Sequence, residues 1–162
     1  MRQNKINSTD GSEIVLVATV KDYMRVSSTV DDNIITRMIA QARIWCENYI
    51  SRDIVAKTRT YYIPETNGLF DLPFAPVSSI TSVKSNDIAI SYTVLGLDNE
   101  SIELDGGSAE KIKVVYVTSG LNDELLQQAI MQLVSTYYDN RSDFATDAKG
   151  DIDVVPTNIK SI

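Results

Sequence analysis

Four carboxylates fall close together at Asp98, Glu100, Glu103 and Asp105. Oxygen ligands crowded in this way suit a hard cation, and a pair of them suits acid–base work on a bound substrate. Their spacing does not match the twelve-residue calcium loop, and solvated charges at strand turns are the commoner outcome for such a cluster. A second candidate is the single cysteine, Cys46. It sits among Ala42, Trp45 and Tyr49 at helical spacing, where a buried thiol is expected rather than a nucleophile, and one cysteine permits no intrachain disulfide. The chain has no histidine. Ser-His-Asp and Cys-His catalysis and histidine-bound zinc are therefore excluded. There is no Walker loop and no GxGxxG, and Asp105-Gly106-Gly107 reads as a hairpin turn rather than a phosphate cradle. The sequence thus offers no catalytic residue, no cofactor-binding residue and no metal ligand set, and a carboxylate-dependent hydrolase around Asp98–Asp105 is the remotest reading.

The carboxylates lie in a region of strands. From Lys57 to Thr118 the apolar period is two, and β-branched and aromatic residues dominate. Strands are expected at Lys57–Ile63, Leu69–Leu72, Val77–Val83, Ile88–Leu95, Ile102–Leu104 and Lys111–Thr118, divided by turns at Pro64, Asn67-Gly68, Pro73 to Pro76, Asn86-Asp87 and Leu97-Asp98-Asn99. Helices flank this block. In Thr29–Ser51 the residues Ile34, Ile35, Met38, Ile39, Ala42, Trp45, Cys46, Tyr49 and Ile50 recur at steps of three and four, which predicts one buried stripe. Thr29 with Asp32 suggests the helix start. A second long helix is expected over Asn122–Arg141, with Leu125, Leu126, Ala129, Ile130, Leu133, Val134 and Tyr137 inward. A short one is expected from a cap at Thr19 to Met24. The class is α+β: an antiparallel bundle of two long helices and a short one, an inserted antiparallel sheet, and an extended C-terminal tail. One domain is expected, with an arm at 1–13, helices at 14–56, strands at 57–118, the last helix at 119–141 and the tail at 142–162.

Charge and hydropathy narrow the function classes. The 162 residues carry 15 Lys plus Arg against 22 Asp plus Glu, a net charge of −7. With its few basic residues scattered, the chain is not built to grip a phosphate backbone. The longest apolar run, Ile14–Ala18, is too short to span a bilayer, and the polar first dozen residues lack the apolar centre of a signal peptide. A soluble, unexported protein without membrane contact is expected.

Several local strings, in order, resemble the phage head-tail connector (adaptor) family over roughly residues 14 to 141. Val20-Lys21-Asp22-Tyr23-Met24-Arg25 is similar to the family's short opening helix, with Met24 in place of leucine. Asp31, Asp32, Ile35, Met38, Ile39, Ala42, Glu47 and Tyr49 follow its acidic cap and long helix. Leu72-Pro73-Phe74-Ala75-Pro76-Val77-Ser78-Ser79-Ile80 matches its turn and strand. Val114, Tyr116 and Gly120 match the strand that feeds the last helix, which ends in Tyr138-Asp139-Asn140-Arg141. Relatives often have proline where this chain has Leu121-Asn122-Asp123, and the sequence after Arg141 matches no family pattern.

The resemblance implies a non-enzymatic virion protein of the neck, present in host cytoplasm during assembly. It implies a ring, commonly a dodecamer, under the portal that extends the DNA channel and joins capsid to tail. Its partners would be the portal protein, neighbouring copies of itself and a downstream neck or tail protein, with genomic DNA only as passing cargo. An acidic lumen would not hold a passing duplex. The alternative is a non-enzymatic interaction module that uses its sheet edge or C-terminal tail. For contacts between subunits, Ala40 and Ile44 lie on the outward side of the long helix. For the partner, Ile152, Val154, Val155, Ile159 and Ile162 make the tail too apolar for a plain spacer. The segment 142–162 has no helical period, so it is expected to be disordered in the free chain and to order on the portal, where Asp151–Val154 alternates as an added strand would. Extended, it reaches roughly 70 Å.

Overall fold

The computed structural model describes residues 1–140 and the backbone of two short strands, 144–146 and 152–154. The elements run β1 (Gln3–Thr9), α1 (Val17–Met24), α2 (Asp32–Ile50), β2 (Lys57–Thr66), β3 (Leu69–Asp71), β4 (Val77–Ser85), β5 (Ile88–Ala89), β6 (Tyr92–Leu95), β7 (Ser101–Leu104), β8 (Ala109–Thr118), α3 (Glu124–Asp139), β9 (Phe144–Thr146) and β10 (Ile152–Val154). The α+β reading is borne out: three helices pack together beside an inserted block of antiparallel strands.

Two apolar cores form because the chain has two amphipathic systems of different period. In the strand block, a five-stranded sheet of order β1-β2-β8-β4-β5 faces a three-stranded sheet of order β3-β7-β6. Alternation along β8 turns Ile112, Val114, Tyr116 and Thr118 inward, while β2 turns in Tyr61 and Ile63. Against them pack Phe70, Ile102 and Leu104 of the smaller sheet. The helical core is separate: Val20, Ile35, Ile39, Ala42, Cys46, Ile54, Ile130 and Val134. Each fully buried Ile or Val here contributes about 1.5–3 kcal/mol through lost apolar exposure. No helix of the described residues is long and apolar enough to cross a membrane.

The helix boundaries differ from the sequence reading through their caps. α1 starts two residues before Thr19, after Leu16, which makes no side-chain cap. Thr29 does not cap α2 with its side chain, and only its carbonyl accepts, from the Asp32 N–H at 3.3 Å. In α3 the cap is Asp123, whose carboxylate accepts from the Leu125 N–H at 2.8 Å, and Leu125 is exposed rather than in the stripe. The phase of α2 is also corrected. Ile34, Trp45 and Tyr49, expected in the buried stripe, are exposed, and Arg43 and Glu47 are buried in their stead. The apolar positions of α2 span more arc than one face, and α1 and α3 cover only part of it.

The strand block has two further differences. The single strand expected over Ile88–Leu95 is broken into β5, which pairs with β4, and β6, which pairs with β7 in the other sheet. Pro64 does not end β2. β1 pairs with β2 only as far as Tyr62, so at Pro64 that side of β2 is an edge and the missing donor costs no ladder bond. The segment read as an arm holds β1, an edge strand with every residue exposed. In the segment read as a tail, β9 and β10 pair antiparallel.

Candidate functional site

Between the two cores lies a cluster of buried charge. It arises because the inward face of β2 begins with Lys57 and Arg59 before continuing as Tyr61 and Ile63. Lys57 and Arg59 meet Asp53 from the loop after α2, and Glu47 and Arg43 one helical turn apart on α2. Asp53 is 0% exposed. Its carboxylate accepts from Arg59 Nε and Nη2, both at 2.7 Å, from Lys57 Nζ at 3.1 Å and from Thr118 Oγ1 at 2.9 Å. Glu47 accepts from Arg43 Nη1 at 2.9 Å, from Lys57 Nζ, and from the Ile54 and Val55 N–H groups at 3.1 and 3.2 Å. Arg43 Nε reaches back to Glu13 at 2.9–3.0 Å. Three cations thus face three carboxylates. No buried side-chain polar atom among the described residues lacks a partner, which is the condition for burying charge without a large penalty.

The cluster is a joint. It ties α2 to the sheet at the point where neither apolar core reaches across, and its directional bonds fix the angle between the two units. β1 closes its outer side: Arg59 Nη1 donates to Asn4 Oδ1 at 2.9 Å, and Asn4 Nδ2 donates to the Tyr116 hydroxyl at 3.1 Å. That hydroxyl donates to the Pro73 carbonyl at 2.7 Å. Arg59 also covers the Phe74 ring at 3.7 Å. Burial first, offset in part by the Asn4 hydrogen bond, pushes the Tyr116 phenol up to about 12. For Asp53, burial opposes ionisation, but the hydrogen bonds and charges of Arg59 and Lys57 outweigh it and hold the carboxyl below its ordinary 3.8. Truncating Asn4 to alanine removes one charged and one neutral hydrogen bond, so a loss of about 1–3 kcal/mol is expected. A urea unfolding midpoint lowered at unchanged slope is the check.

The candidate groups from the sequence are dispersed. Cys46 is buried in the helical core, where burial and then the Glu47 charge push its thiol up. Glu100 folds back to accept from the Asp98 N–H at 2.9 Å, and Asp98 faces Arg52 at 3.6 Å. Glu103 points outward from β7, and Asp105 accepts from Thr93 Oγ1 at 3.3 Å. Among the described residues no three acidic, cysteine or histidine side chains converge as a metal site would require. On the outer side of α2, Ile44 is about half exposed and Ala40 partly covered. Trp45 and Tyr49 stack there, ring centres 5.4 Å apart and 7° from parallel. Of the tail residues, Ile152 and Val154 fall in β10, and Val155, Ile159 and Ile162 lie outside the described residues.

This geometry holds shape and presents surfaces, and comparison with known proteins gives it a family. A family model described as "Head completion protein" matches residues 13–160. The chain belongs to the head completion protein family. The resemblance to phage head-tail connectors read from the sequence is thereby borne out. No curated protein matches the chain in sequence. Among solved structures, the fold is similar to chains in "Neck of empty GTA particle computed with C6 symmetry", at 17% identity and TM-score 0.69, with 90% of this chain and 88% of that one covered. It is also similar to chains in "Neck of native GTA particle computed with C12 symmetry", at 16% identity, TM-score 0.67 and coverage of 90% and 86%. A third match, in "Virion of native gene transfer agent (GTA) particle", has 18% identity, TM-score 0.62 and coverage of 88% and 87%.

Within the head completion family match, the residues that carried the resemblance acquire physical roles. Leu72 is buried, Pro73 accepts from Tyr116, and Phe74 lies under Arg59. Gly120, at φ +74°, turns β8 toward α3 where a side chain would strike the Ile54 carbonyl. The family match starts at residue 13 and so leaves out β1.

Proposed function

We propose that this head completion protein is a non-enzymatic head-tail connector of a tailed phage or a related particle. Copies assemble into a ring below the portal, and the ring extends the DNA channel and joins capsid to tail. The chain resides in the virion neck and, during assembly, in host cytoplasm. The observation that carries this reading is the family match over nearly the whole chain. Support also comes from the fold shared with chains of particle necks reconstructed with sixfold and twelvefold symmetry.

The architecture suits the role. A ring subunit must keep its two flanks at a fixed angle, because a small angular error repeated around the ring prevents closure. The ionic joint between α2 and β2 is directional where an apolar contact would slide. Ala40 and Ile44 are our proposed contact between neighbouring copies, and Ile152, Val154, Val155, Ile159 and Ile162 our proposed contact with the portal. The full chain mixed with its portal ring should give, in negative stain, portals lengthened by one added ring. Portals of unchanged length at saturating chain would refute the proposal.

A further inference from the structure

The loop between β6 and β7 holds an apolar side chain wholly in solvent. Leu97 is 103% exposed, and the loop around it is fixed rather than loose. Gly96 takes φ +94° and Asn99 φ +53°. The Glu100 carboxylate fills the space where a Cβ on Gly96 would sit and accepts from the Asp98 N–H. Asp98 and Glu100 carbonyls accept from the Val77 and Leu72 N–H groups at 2.9 and 2.6 Å, and Asn99 Nδ2 donates to the Val77 carbonyl. Every device in this loop points Leu97 outward. An isolated exposed leucine is ordinary on a mobile loop, but one preorganised by four hydrogen bonds and two left-handed residues is an anchor waiting for a pocket.

The same small sheet has a pocket at its opposite end. An open depression of about 410 Å³ is lined by the apolar Ile90, Leu104 and Ala109 together with Ser91, Asp105 and Ser108. Cβ atoms placed on the adjoining Gly106 and Gly107 would meet nothing within 4 Å, so the mouth is open. Roughly 10 Å of strand separates knob from pocket along β6 and β7. We infer that Leu97 of one copy seats in the Ile90–Leu104–Ala109 pocket of the next. A knob and its hole on opposite ends of one unit make a head-to-tail contact, the kind that generates rings. The occupant is therefore a second copy of this chain, and this inference rests on the ring reading above.

The test is a mixing experiment on the full chain by sedimentation velocity, with Leu97→Asp removing the knob and Ser108→Trp plugging the pocket. Both positions are exposed, so circular dichroism of each variant should equal the parent's. The parent is expected to form rings and each variant alone to stay monomeric, while an equimolar mixture stops at dimers, since one knob and one pocket survive per pair. Rings formed by either variant alone would overturn the contact and leave the ring reading intact. A parent chain monomeric at millimolar concentration and on the portal would overturn both.

Discussion

Asp53→Asn lowers the unfolding free energy by about 3–5 kcal/mol, the usual cost of removing one partner from a buried charge pair. Three donors converge on that carboxylate besides the Thr118 hydroxyl, and the side chain has no access to water that could replace it. Asparagine keeps the shape but leaves Lys57 and Arg59 with two positive charges against the single carboxylate of Glu47. Against a total stability of about 5–15 kcal/mol, the loss is a large fraction. Chemical denaturation at pH 7 measures it. The pH dependence has a definite sign. Asp53 is depressed below its ordinary 3.8 in the folded chain, so its contribution is complete above that value and is lost as pH falls through the folded value. The parent should lose stability steeply in that acid range, and Asp53→Asn should flatten this part of the profile. A variant as stable as the parent at pH 7, with the same acid limb, would show that the joint contributes nothing.

Gly120→Ala is expected to cost about 3 kcal/mol or more. Two effects add at this position. The backbone sits at φ +74°, which costs a non-glycine residue about 1–3 kcal/mol. The new Cβ would lie 2.8 Å from the Ile54 carbonyl oxygen and 3.0 Å from the Ala56 nitrogen, and backbone atoms cannot swing aside. Relief requires moving the β8–α3 corner, where the Leu121 N–H bonds the same Ile54 carbonyl at 2.9 Å. That corner also abuts the ionic joint through Asp53, so the damage should spread to the angle between helices and sheet. A drop in thermal midpoint of several degrees or more is the expected reading. A change under about 1 °C would contradict the packing assigned here.

How much was legible in the sequence follows from what each element buries. The strand block could be read because β2, β7 and β8 alternate cleanly, each burying one face. β1 could not: no residue of Gln3–Thr9 is buried, so no apolar period marks it, and only the unpaired edge of β2 in the folded chain explains it. The existence of α2 was plain from its period, but its orientation was not. Apolar residues occupy both flanks, and only the partners decide that Arg43 and Glu47 go inward while Trp45 and Tyr49 remain outside. The ionic joint was hidden for a related reason. Lys57 and Arg59 at alternate positions share one face of a strand, and their match with Asp53 and Glu47 is visible only once β2 lies against the end of α2. The i, i+4 pairs Arg43–Glu47 and Asp53–Lys57 were the local signals available, and only the first lies on a helix. The carboxylates around Asp98 looked like a site because they are close in sequence, and a tight turn sends them to different neighbours.

The most direct measurement of the connector assignment is electron microscopy of particles made by a phage in which this chain has been removed. The account predicts DNA-filled heads and free tails that fail to join, with joining restored by supplying the parent chain. Tailed, infectious particles in normal numbers without the chain would contradict it.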